Sequence, residues 1–108
     1  MANNFKNYFL KNANTTSQNV YVAGAGVQAT IIGMTIGNIT TSPISANVTV
    51  TSGGTTYFML QSATISNGGA LVPIGGDQKL VMEAGDYMQV QTSGANSADV
   101  IVSVLEIS

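Results

Sequence analysis

Ala46-Asn47-Val48-Thr49-Val50-Thr51, followed at once by Ser52-Gly53-Gly54 and then Thr55-Thr56-Tyr57-Phe58-Met59-Leu60, decides the fold. The first six residues alternate apolar and polar with period two, which places Ala46, Val48 and Val50 on one face of a strand and Asn47, Thr49 and Thr51 on the other. A Gly pair supplies the positive backbone angles of a tight turn, so residues 46–61 read as a β-hairpin.

The same grammar extends in both directions. Val20-Tyr21-Val22-Ala23 is a short strand closed at Gly24-Ala25-Gly26, and residues 27–36 form a longer one, with Ile32, Met34 and Ile36 expected on one face and Ala29, Ile31 and Gly33 on the other. Asn38 to Pro43 is a loop of turn formers. Downstream, residues 70–74 form a short run whose Pro73 confines it to an edge or bulge. Gly75-Gly76-Asp77 turns the chain into residues 78–82, and Glu83-Ala84-Gly85-Asp86 turns it again before residues 87–92. The last strand, residues 99–107, has Val100, Val102 and Val104 on one face and Ile101, Leu105 and Ile107 on the other. A strand apolar on both sides needs something to cover each side.

About eight short strands with turns every 8–12 residues predict an all-β fold, an antiparallel β-sandwich of the jelly-roll or immunoglobulin-like kind. Its 108 residues suit one domain. The expected division is an N-terminal arm or edge segment over residues 1–19 and the sandwich over residues 20–108. The arm's apolar island, Phe5, Tyr8, Phe9 and Leu10, is the candidate assembly contact, and its removal is expected to leave a folded domain that assembles less well.

Composition narrows the function classes. Charged residues are 7% of the chain, against about 25% in typical soluble proteins. Interface cores are depleted of charge, so a weakly charged, Thr-, Ser- and Asn-rich surface points to self-association. Three Lys and no Arg argue against nucleic acid as a partner, because phosphate neutralisation needs clustered cations. The N-terminus lacks the apolar core of a signal peptide, and no run approaches the length of a membrane-spanning helix.

With no His and no Cys, Ser-His-Asp triads, Cys-His pairs and nearly all transition-metal sites drop out. Five carboxylates remain: Asp77, Glu83, Asp86, Asp99 and Glu106. Four fall at turns or strand ends, where such residues ordinarily serve turn geometry and solubility. Asp77, Glu83 and Asp86 match no calcium loop, and the Gly pairs do not lead into helices as phosphate-binding loops do. The expectation is therefore no catalytic residue, no metal and no cofactor. Tyr21, Tyr57 and Tyr87 read as rim residues with their hydroxyls in water.

Residues 20–26, 29–38, 80–90 and 102–107 together resemble small virion structural proteins of tailed bacteriophages. The features that carry this are the Val20-Tyr21-Val22-Ala23-Gly24 opening, the Glu83-Ala84-Gly85-Asp86 turn with its following strand, and the closing Val102-Ser103-Val104-Leu105-Glu106-Ile107. The resemblance implies a non-enzymatic virion location, decorating or cementing a capsid or completing a neck, tail or baseplate ring. It also implies a homotrimer or larger ring, with the major capsid or a tail protein as further partner. A lectin-like or receptor-binding sandwich at a fibre tip is the alternative, and it would require clustered exposed aromatic residues.

Overall fold

Period-two alternation produces strands almost throughout. The computed structural model describes residues 3–74 and 79–107, and within them the strands are β1 (Asn3–Ala13), β2 (Gln18–Val22), β3 (Gln28–Asn38), β4 (Ile44–Ser52), β5 (Thr55–Ile65), β6 (Ala70–Ile74), β7 (Leu80–Met82), β8 (Tyr87–Thr92) and β9 (Ala98–Ile107). The turn expected at Gly75-Gly76-Asp77 lies outside the described residues.

Two antiparallel sheets stack into a sandwich. One has the order β1-β9-β3-β6, with β7 also paired to β3, and the other has the order β2-β8-β4-β5. This interleaving, in which the chain crosses repeatedly between the sheets and the last strand inserts between the first and third, is a jelly roll. The two expected alternatives thus resolve to the jelly roll.

The β4–β5 hairpin closes as its sequence requires. Ser52 pairs with Thr55, and both intervening glycines have positive φ, 60° at Gly53 and 81° at Gly54. That pair of angles matches the right-handed twist of the flanking strands.

The core lies between the sheets. Ile31, Met34, Val102 and Val104 face it from one sheet, and Val48, Met88 and Val90 from the other, all essentially inaccessible. One detail of the expected pattern is corrected. In β3, Ile31 pairs with Val104 and Gly33 with Ser103, so Ile32 is an extra residue in a β-bulge. A bulge shifts the alternation by one. Ala29 and Ile31 therefore share the inward face with Met34 and Ile36, while Ile32 is only half-buried.

Of the expected arm or edge segment, residues 3–13 form an edge strand of the first sheet. β1 pairs with β9 from Asn3↔Ile107 through Leu10↔Val100, and β2 begins at Gln18, spanning the boundary expected after residue 19.

Candidate functional site

β1 is an edge strand, and its alternation gives it two different faces. Lys6, Tyr8 and Leu10 point toward the other sheet, while Phe5, Asn7 and Phe9 point away from the molecule. The four residues expected as one assembly contact are thus divided. Phe5 and Phe9 are 74% and 69% exposed, whereas Tyr8 and Leu10 pack against the core.

The inward face ends in a polar cluster. Glu106 follows Val100, Val102 and Val104 on the inner side of β9 and is buried there. Its Oε2 accepts hydrogen bonds from Tyr21 Oη at 2.7 Å and Tyr8 Oη at 2.9 Å, and its Oε1 lies 3.1 Å from Lys6 Nζ. The two tyrosine rings meet edge to face, with centroids 4.8 Å apart.

Electrostatics follow from these contacts. The Tyr21 hydroxyl, with help from Tyr8 and Lys6, holds the Glu106 carboxyl below its ordinary pKa against the opposing effect of burial. Burial, reinforced by the hydrogen bond to Glu106, pushes the Tyr21 and Tyr8 phenols above theirs. Tyr21 belongs to β2 in one sheet, and Glu106 to β9 in the other. The cluster therefore ties the layers together at one end of the sandwich.

Tyr21 is corrected from rim to core, being 2% exposed. Glu106, one of five carboxylates without an individual role expected from the sequence, is a buried acceptor. Its place two residues beyond Val104 was the available signal, since it continues the apolar parity of β9.

Asp99 and Asp86 also close local structure. Asp99 Oδ1 accepts from Asn12 N at 3.0 Å and Asp99 Oδ2 from Lys11 Nζ at 3.1 Å; the backbone N–H first, then the Lys, lower its pKa. Asp86 Oδ2 accepts from Glu83 N at 2.9 Å across the turn before β8.

The outward face is of another kind. Across the β1–β9 seam, Phe9 pairs with Ile101, Asn7 with Ser103, and Phe5 with Leu105. On the outer side of β9, Ile101 is 45% exposed while Leu105 and Ile107 are half-buried. Two open hollows lie along the seam. One, of about 290 Å³, is lined by Phe5, Lys6, Asn7, Ile32, Ser103 and Val104, and the other, of about 160 Å³, by Phe9, Leu10, Lys11, Asp99, Val100 and Ile101. Tyr57 and Phe58, also exposed, sit on β5 in the opposite sheet. The exposed aromatic residues are therefore not gathered at one place, as the lectin-like alternative requires.

No protein-family profile and no curated protein matches the chain. Among solved structures, it is similar to a protein of Bacillus endospore appendages, described as forming a novel family of disulfide-linked pili. The TM-score is 0.60 at 13% identity, over 99% of this chain and 87% of that one. At that identity the likeness is one of fold. It overturns the expectation of a tailed-bacteriophage virion subunit, with its virion location and its major-capsid or tail-protein partner, because the likeness runs to a bacterial spore appendage.

Proposed function

We propose that this chain is a non-catalytic structural subunit that assembles with copies of itself through non-covalent contacts. The observation that carries the reading is the set of outward apolar residues Phe5, Phe9 and Ile101, on a sheet whose other face packs against the core. Soluble monomers rarely expose contiguous apolar patches beyond a few hundred Å² unless the patch binds something. The pilus protein of similar fold offers a precedent for self-assembly from such a sandwich, although those pili are described as disulfide-linked. Without Cys, this chain has no such covalent route, so its copies must be held by surface complementarity alone.

A non-catalytic role is consistent with how the side chains are used. Glu106, Asp99 and Asp86 are each engaged in hydrogen bonds that hold strands and turns, and the chain contains no His or Cys to serve as base or nucleophile.

The test is light scattering of the purified chain over a range of concentrations, with negative-stain electron microscopy of the same samples. Concentration-dependent oligomers or filaments that persist in reducing agent are the expected result. A strict monomer at every concentration would sink the reading.

A further inference from the structure

We infer that two copies of this chain pack face to face along the β1–β9 seam, related by a two-fold axis parallel to the strands, so that β1 of each lies over β9 of the other. This inference rests on the self-association proposed above and specifies its contact surface.

The seam is arranged in rows. Phe9 and Ile101 form one apolar row, Phe5 and Leu105 another, and between them Ser103 Oγ donates to Asn7 Oδ1 at 2.8 Å. At one end stands the ion pair of Lys11 and Asp99, 3.1 Å apart, with side chains 75% and 36% exposed. Lys11 is on β1 and Asp99 on β9.

A two-fold axis along the seam exchanges the two strands while keeping each row at its own height. Phe9 then meets Ile101 of the second copy, Phe5 meets Leu105, and Lys11 and Asp99 each meet their opposite charge. An axis across the strands would also match apolar row with apolar row. It would, however, set the charged end over the Asn3 and Ile107 end, where the described outward residues of β1 and β9, Asn3, Phe5, Leu105 and Ile107, are all uncharged. Like or unmatched charges across a contact are costly, and matched ones set its register. Charge therefore selects the first arrangement.

Size also fits a second copy. A Phe ring buries about 150–250 Å², and two largely exposed ones with Ile101 and Leu105 give roughly 500 Å² per copy. The total of about 1,000 Å² is at the lower end for specific contacts, which suits a reversible pairing that a larger assembly reinforces.

The experiment is sedimentation velocity on the full chain and on two single variants, Lys11→Asp and Asp99→Lys. Each variant alone places like charges both beside and across the seam, and should associate about tenfold more weakly than the parent or worse. An equimolar mixture should recover parental association, because the carboxylate introduced on β1 of one variant then faces the ammonium introduced on β9 of the other. Since Asp99 also caps Asn12 N, thermal unfolding checks each variant. A second pair at exposed positions, Phe9→Lys with Ile101→Glu, repeats the test without touching that hydrogen bond. If the parent assembles and neither mixture of folded variants recovers, the seam is overturned while self-association stands. A parent that never assembles overturns both.

Discussion

Tyr21 donates its phenolic hydrogen to Glu106 across the two sheets at 2.7 Å, and this buried bond is the shortest link in a cluster that also holds the half-buried Tyr8 and the exposed Lys6. Removing that hydroxyl leaves a buried carboxylate with one donor fewer. Tyr21→Phe should cost about 1–3 kcal/mol. Urea unfolding checks it: the midpoint should fall with an unchanged slope, since the folded surface stays the same.

The ionisable groups of the cluster, together with Asp99 outside it, make stability depend on pH. Glu106 and Asp99 have folded pKa values below their ordinary 4.5 and 3.8, so the stability they contribute is complete above those values and is lost as pH falls through the lowered ones. Tyr21 and Tyr8 have folded values above 10.0, so theirs is complete below pH 10.0 and is lost as pH rises beyond it. Chemical unfolding measured from about pH 6 down to about pH 3 should show the acid limb, and Glu106→Gln should flatten it. An unchanged acid limb in that variant would assign the loss elsewhere.

Asn38 plugs the loop between β3 and β4. Its Nδ2 donates to the carbonyls of Ser42 at 2.9 Å and Ile65 at 3.1 Å, and its Oδ1 accepts from Thr40 N and Thr40 Oγ1, each at 2.8 Å. Asn38→Ala should cost about 2–4 kcal/mol, because several loop groups lose their partners together. Asn38→Asp keeps the acceptor for Thr40 but turns a carboxylate oxygen on two carbonyls. It should be at least as destabilising in thermal unfolding.

Deletion of residues 1–12 should destabilise the whole domain. β1 supplies Tyr8 to the Glu106 cluster and covers the edge of β9 along eight consecutive pairs. Loss of cooperative unfolding, read by circular dichroism, is the expected outcome. A truncated chain that unfolds as the parent does would make β1 an appendage after all.

The legible part of this fold is the part governed by local rules. The Gly53-Gly54 turn, the alternation of β4 and the inward Val100-Val102-Val104 stripe each follow from a few adjacent residues. The face of Ile32 was not legible in that way, because a bulge depends on the partner strand: Ile31 and Gly33 are matched to Val104 and Ser103, which are neighbours in sequence. Tyr21 and Glu106 were hidden for a related reason. A buried Glu contradicts composition rules until its partners are known, and those partners are 85 and 98 residues away. Of the candidate contact, Phe5 and Phe9 were legible as apolar residues, but only the pairing with β9 separates them from Tyr8 and Leu10.

Because Lys6, Tyr8 and Leu10 fasten the inner side of β1, the rings on its outer side are held by a backbone already set before any encounter. Segments that fold as they bind forfeit about 2–5 kcal/mol to ordering. Phe5 and Phe9 forfeit only the motion of two side chains, so a modest surface can suffice. Association of this chain should then proceed in a single bimolecular phase, with no slower folding step behind it.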